Sequence, residues 1–188
     1  DAVKLLCEES PSFIPTQSVE REKLPFKLPE RYCNCRRIRD YLNHRGISDE
    51  VITYCISHEI LYESVPYHNA VFVGKDEFGK ARYAFLRGIY EKNGKGFKME
   101  QTGSEKKYSF CIPPERETKR VVVYEACIDA LAHMTLEEGK RDKYRLSLGG
   151  IAAPKENVQI QSERFKKPPD ALEEFLKNHP EIKEIEIC

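Results

Sequence analysis

The stretch RVVVYEACIDAL, residues 120–131, decides how this chain reads. Val121 to Tyr124 form an unbroken apolar run, the pattern of a strand buried on both faces, and the run breaks at one acid, Glu125. From Cys127 onward apolar residues recur at helical spacing, and Asp129 follows Glu125 at about one helical turn. A buried strand that runs straight into a helix, with a carboxylate at the junction, predicts the opening of a parallel α/β unit.

The rhythm continues downstream. The helix CIDALAHMTLEEG, the strand YRLSLGG, the helix PDALEEFLKNH and the strand IKEIEIC complete a strand, helix, strand, helix, strand order, which predicts a parallel sheet flanked by helices. Asp170 with Glu173 three positions on reads as a capping box with Asp as the cap. The loop from Ala153 to Pro169 is long for a compact domain and reads either as a lid or substrate contact, or as a disordered segment.

Upstream the chain has a different character. Pro11, Pro15, Pro25 and Pro29 punctuate a stretch with no sustained period, and residues 1–27 read as an extended lead-in. From Cys33 to Arg45, Ile38, Tyr41 and Leu42 recur at helical spacing, and Gly46 stands where a helix ends. Ser48, with Asp49 and Glu50 in the first turn, starts a second helix. After Pro66 the period becomes two: NAVFVG, the turn KDEFGK and ARYAFLRGI form a hairpin, and a basic, glycine-rich connector leads to a further strand, KKYSFCI. Residues 28–114 are therefore expected to form an α+β module of two short helices plus an antiparallel hairpin sheet, and residues 119–188 the α/β unit.

Composition sets the outer limits. The 188 residues are 40% hydrophobic and 33% charged, enough to bury a core. Lys and Arg number 31 and Asp and Glu 31, which excludes a globally basic nucleic-acid binder but leaves room for a local basic face. Seven Cys without paired spacings argue for reduced thiols rather than a secreted disulfide framework. There is no apolar run of about 18 residues, and the start DAVKLLCEESPSF lacks the basic and apolar segments of a signal peptide. A soluble, cytoplasmic protein with no membrane partner is expected.

Two groups of residues carry candidate chemistry. In an open parallel sheet, ligands bind outside the carboxyl ends of the strands, where Glu125 falls. A carboxylate there also favours a helix N-terminus, so ligand chemistry and simple capping both stand. Arg31, Arg36, Arg37, Arg39 and Arg45 cluster around the first helix, while Lys92, Lys95, Lys98, Lys106 and Lys107 crowd the connector near Phe97 and Tyr108. Basic segments with aromatics suit a single-stranded backbone and its bases, and a plain solvated surface is the alternative. Arg36, Arg37, Arg39, Lys95, Lys98, Lys106 and Lys107 are the candidate nucleic-acid contacts. Cys33 and Cys35, with His44 or His58, fall outside the usual zinc spacing, and Cys55 and Cys127 read as core-facing.

YEACIDALA resembles the first motif of the Toprim domain, shared by bacterial primases, type IA and type II topoisomerases and some nucleases, in which a glutamate ends the first strand. SLGGIA, residues 147–152, is similar to that domain's second strand and the glycine turn behind it. YLNHRGISDEVI, NAVFVGKDEFGKARYAFLRG and GSEKKYSF resemble, in order, the elements that precede Toprim in bacterial-type primases. Over residues 28–188 the chain resembles the primase-like Toprim proteins of mobile elements in Gram-positive bacteria.

That resemblance implies metal-dependent nucleotidyl transfer, namely primer synthesis on single-stranded DNA in the replication or transfer of a mobile element. The alternatives are nuclease- or topoisomerase-like phosphodiester chemistry, or a noncatalytic nucleic-acid or protein-docking module. It implies Glu125 as general acid/base or outer metal ligand. Asp129 is then a second catalytic candidate or a tether of the helix to the glycine turn. Gly149 and Gly150 become the turn where phosphate approaches. Mg²⁺ or Mn²⁺ is the implied cofactor of the complete protein, and single-stranded DNA, nucleotides and a replicative helicase or relaxase are the implied partners. The family also carries Asp-x-Asp after its third strand. Here IKEIEIC is that strand, so the expectation is a domain cut short of its main metal ligands, with no complete metal site and no activity alone. The Cys/His module that precedes this region in bacterial primases has no counterpart in the spacing seen here.

Overall fold

The computed structural model describes residues 24–92, 95–150 and 167–188. Among them, four α-helices surround two sheets, giving an α/β fold. The first sheet is antiparallel, with β1 (Leu61–Glu63), β2 (Ala70–Lys75), β3 (Ala81–Lys92) and β4 (Lys95–Glu100) in chain order. The second holds β5 (Cys111–Ile112), β6 (Arg120–Tyr124), β7 (Tyr144–Ser147) and β8 (Glu184–Ile187) in the spatial order β5-β7-β6-β8. There β6 pairs in parallel with both β7 and β8, and β5 pairs antiparallel with β7. The helices are α1 (Arg36–His44), α2 (Asp49–Ser57), α3 (Cys127–Leu136) and α4 (Asp170–Asn178).

The apolar run of β6 explains the layering. Val122 and Tyr124 pack with Cys127, Ala130, Leu131 and Met134 of α3 on one face. Val121 and Val123 pack with Ala171 and Phe175 of α4 on the other. A strand covered on both faces has no room for alternating polar residues. The α3-side core continues through Phe110 and Ile112 to Ile38, Ile52, Leu61 and Phe72, so one apolar cluster joins the helical pair, the first sheet and the second. Phe26 and Leu28 pack against Tyr62, Val71 and Leu86 of the first sheet, on the face away from the larger core.

Three local expectations need correction. KKYSFCI does not add a strand to the first sheet: Lys106–Tyr108 form a 3₁₀ turn, and only Cys111–Ile112 pair, with β7 of the second sheet. The edge beside β3 is already taken by β4, which lies in what read as a basic connector because glycine and lysine masked its period of two. Asp170 is the first residue of α4 rather than its cap; Pro169 holds the cap position, without a side-chain hydrogen bond. The other helix ends follow expectation, with Gly46 at φ +83° and Ser48 Oγ accepting from Val51 N–H at 3.4 Å. Among the described residues, no helix is long and apolar enough to cross a membrane.

Two carboxylates, one buried and one half-buried, hold these elements in place. Glu63, wholly buried on β1, accepts from the Arg37 and Ile38 N–H groups at 3.1 and 3.3 Å and pairs with His68 Nδ1 at 2.7 Å. It satisfies two of the orphan donors at the start of α1 and favours the positive end of the helix dipole. At the far end of α3, Glu137 accepts from Lys143 Nζ and from the fully buried Arg145. Burial alone would raise the Glu137 pKa, but the hydrogen bonds and charges of Lys143 and Arg145 outweigh it and hold the carboxyl below its ordinary range.

Glu63→Ala should lower stability by about 2–4 kcal/mol in urea titration, because it strands two helical N–H groups and His68 in the interior. For Glu137 the depressed folded pKa means a contribution that is complete above the unfolded value of about 4.3 and is lost as pH falls through the folded one. Thermal melts from neutral to acid pH should show Glu137→Gln less stable than wild type near pH 7, with the two curves converging on acidification.

Candidate active site

Glu125 directly follows β6, the central parallel strand. The chain leaves β6 through α3 toward β7 on one side, then returns through α4 to β8 on the other. Strand order therefore reverses at β6, and the crevice outside the carboxyl ends of such strands is where open α/β sheets bind ligands. The Glu125 side chain is exposed there, and among the described residues it makes no hydrogen bond or ion pair.

The double-glycine turn is fastened to this strand end by backbone. Leu148 N–H donates to Tyr124 O and Gly150 N–H to Glu125 O, each at 2.8 Å. Gly149 and Gly150 both take positive φ, +67° and +86°. A Cβ on Gly149 would lie 2.8 Å from Tyr83 Oη, 3.3 Å from Lys106 Cε and 3.4 Å from Ser109 Oγ. The missing side chain lets β3 and the 3₁₀ turn close against the turn. Both glycine N–H groups are committed, Gly149 to Ser147 Oγ at 3.2 Å and Gly150 to Glu125 O. The turn thus offers close approach, not free donors.

Charge is supplied from the neighbouring elements. Lys106 Nζ donates to Gly150 O at 3.2 Å and lies 3.6 Å from Glu100, which also accepts from Tyr83 Oη at 3.2 Å. Burial pushes the Tyr83 phenol well above its ordinary range, so it stays protonated and donates. Ser109 Oγ is buried and has no hydrogen-bond partner among the described residues, a polar atom left open beside the turn. Tyr83, Glu100 and Ser109 escape a reading of the sequence. Each reads as an ordinary residue of its segment, and only the packing of the first sheet on the second brings them to Gly149.

Asp129 is used locally. Its Oδ2 accepts from Ala126 N–H at 3.2 Å, half of a capping box whose cap residue, an alanine, has no side-chain oxygen to return the bond. The glycine turn is tied to β6 through backbone rather than through this carboxylate.

The nucleic-acid candidates divide among α1, β4 and the 3₁₀ turn. Arg36 and Arg37 are exposed at the start of α1, while Arg39 is bound to Asp49 at 2.5 Å and to Thr53 at 2.9 Å. Lys98 is exposed on β4 opposite Arg87, whose Nε donates to Tyr41 Oη at 3.1 Å and so links the hairpin to α1. Lys107 is paired with Glu174 at 3.3 Å and lies over the Tyr108 ring. The side chain of Lys95, like residues 151–166 of the long loop, lies outside the described residues.

A Mg²⁺ or Mn²⁺ centre takes carboxylates together with water and phosphate oxygens. Among the described residues no three His, Cys, Asp or Glu gather into a group able to hold a metal. Glu125 offers one uncommitted carboxylate, and Glu100 is already engaged by Tyr83 and Lys106. These residues by themselves do not fit a complete divalent centre.

A family model described as a protein of unknown function, DUF3991, matches residues 40–116. No curated protein matches the chain. Among solved structures, the chain is similar to the primase fragment of the bacteriophage T7 primase-helicase protein, at 18% identity over 78% of this chain and 62% of that one, TM-score 0.42. It is similar also to the DnaG primase catalytic domain bound to single-stranded DNA, at 13% identity over 84% of this chain and 56% of that one, TM-score 0.46. A third likeness is to the DnaG catalytic core, at 17% identity over 58% of this chain and 46% of that one, TM-score 0.38. The chain spans less than two thirds of the length of each.

Proposed function

We propose that this chain is the primase-like part of an enzyme that builds primers by nucleotidyl transfer on single-stranded DNA, in the replication or transfer of a mobile element. In this reading residues 28–114 present the strand and residues 119–188, a Toprim-like unit, carry the chemistry. The motif order YEACIDALA, SLGGIA and the elements ahead of them supports it. One observation carries it: a carboxylate uncommitted among the described residues follows the central parallel strand, beside a double-glycine turn that receives a lysine.

The chemistry follows from what those groups do. An attacking 3′-hydroxyl must give up a proton, and Glu125 is exposed and free to take it. The 3′-oxygen bonds to the α-phosphorus of the incoming nucleotide as its bond to pyrophosphate breaks; negative charge grows on the phosphoryl oxygens, and Lys106 places a cation at the turn they would approach. In a complete protein Mg²⁺ or Mn²⁺ would neutralise the remaining charge, held by ligands that the described residues do not supply. Single-stranded DNA and nucleotides are the substrates, and a replicative helicase or relaxase is the partner.

Fluorescence anisotropy with labelled single-stranded DNA should show weak binding by the 188-residue chain, falling steeply as salt rises. Replacing Lys98 and Lys106 together with Ala should reduce the salt slope by up to about two phosphate contacts. Binding that ignores salt, or none at low salt, would remove nucleic acid from the reading.

Glu125→Gln separates chemistry from fold, since it keeps the shape of an exposed side chain and removes its basicity. In the shortest length of chain that supports metal-dependent primer synthesis, the variant should lose about a hundredfold or more in rate with little change in melting temperature. Wild-type rates would take Glu125 out of the mechanism, and strand cleavage in place of synthesis would favour nuclease-like chemistry at the same carboxylate.

A further inference from the structure

A cleft away from Glu125 opens where the β2–β3 turn, β5 and α4 meet. Its volume is about 530 Å³, within the range of small-molecule sites. Neither Glu125 nor the glycine turn lines it. The Lys107 and Glu174 ion pair lines both this cleft and the neighbouring one that contains Lys106, so the pair forms the partition between them.

One wall is aromatic. Tyr144 stands edge-on to Phe175 with centroids 5.2 Å apart and lies 4.6 Å from the His179 ring. Phe175 and His179 are 4.3 Å apart and tilted by 31°. His58 and Tyr108 line the cleft from α2's end and the 3₁₀ turn.

The polar groups are divided between spent charges and open tips. Asp76 is held by Arg82 at 2.8 Å, Glu174 by Lys107, and Lys75 Nζ donates to His58 O at 2.9 Å. Among the described residues Lys75 is the one lining lysine outside an ion pair, but three carboxylates, Asp76, Glu77 and Glu174, outnumber Lys75 and Lys107 in the lining and disfavour a polyanion. By contrast, among the described residues Tyr144 Oη and the Asn178 amide make no hydrogen bond, and His58 and His179 each engage only Nδ1, leaving Nε2. Aromatic faces with unengaged donors and acceptors at their edges, in a lining whose carboxylates outnumber its lysines, suit an uncharged planar ring that carries its own donors and acceptors.

We propose that this cleft binds a nucleobase, stacked on the Tyr144, Phe175 and His179 wall and hydrogen-bonded by Tyr144 Oη and Asn178. The site does not rest on the role given to Glu125, and it would stand if primer synthesis were disproved. The base comes either from a free nucleoside or from a single strand whose backbone stays outside.

Isothermal titration and saturation-transfer NMR of the 188-residue chain with adenosine, guanosine, cytidine and uridine test it. At least one nucleoside should bind saturably at millimolar concentration, and more tightly than its 5′-triphosphate. Asn178→Ala and Tyr144→Phe should each weaken that binding about fivefold, the loss expected for one hydrogen bond, with melting temperature unchanged. The exposed control Lys140→Ala should bind as wild type. Competition by a short single-stranded oligonucleotide assigns the base to a strand, and its absence assigns it to a free nucleoside; either keeps the site. No saturable binding by any of the four, tighter binding of the triphosphate, or binding untouched by both variants would overturn the proposal and leave the aromatic wall as packing between α4 and β7.

Discussion

The rest of the structure depends on β6 being buried on both faces. Val121 to Tyr124 are each almost fully hidden, two side chains toward α3 and two toward α4, and at about 1.5–3 kcal/mol for each large apolar side chain this strand is the strongest local commitment in the chain. Burial of this kind forbids polar residues along the strand and releases them at its end. Glu125 is therefore the first position after Arg120 where a charge is tolerated. Because β7 and β8 lie on opposite sides of β6, Glu125 falls where the strand order reverses, and among the described residues its side chain is exposed. The exposed carboxylate is a consequence of the topology.

A second constraint joins the two sheets, and it acts through absent side chains. A Cβ on Gly74 would lie 1.8 Å from the Tyr108 carbonyl oxygen, so only glycine lets the chain leave the 3₁₀ turn across the end of β2 and enter the second sheet as β5. Gly149 plays the matching part at the other end of the contact, where Tyr83 Oη and Ser109 Oγ close on it. The site beside Glu125 is thus built from both sheets. Its lysine and its buried tyrosine come from the antiparallel side, and its carboxylate and turn from the parallel side.

This division explains what was legible in the sequence. The apolar run, the helical spacing after it and the strand-helix alternation are local patterns, and they marked β6, α3, β7, α4 and β8 together with Glu125 at the strand end. The helix pair and its turn were readable for the same reason, since Gly46 and Ser48 signal through their own backbone positions. β4 was hidden because Gly96 and Lys98 alternate with Phe97 and Met99 on an edge strand where exposure leaves little apolar signal. The split of KKYSFCI depended on which edge was already occupied, a fact of tertiary pairing. Asp170 looked like a cap, yet Pro169 pre-sets the entry to α4 without a side-chain bond. Tyr83, Glu100 and Ser109 had no local mark at all.

Charge gives the last step. In a chain that is 33% charged with no net charge, a basic or acidic residue says little until its commitments are known. Arg39 is taken by Asp49, Lys107 by Glu174, Arg82 by Asp76, and Lys143 and Arg145 by Glu137. Those pairs hold helices and turns, and a ligand would have to break them to use them. Glu125, Lys98, Arg36 and Arg37 carry no such engagement among the described residues, and Lys106 is tied only to a backbone carbonyl and to an exposed glutamate. Surface contacts of that sort are worth little in water, so Lys106 is free to move to a phosphate at small cost. Among the described residues, the charges that the fold leaves out of ion pairs include Glu125 at the carboxyl end of β6, Arg36 and Arg37 on α1 and Lys98 on β4.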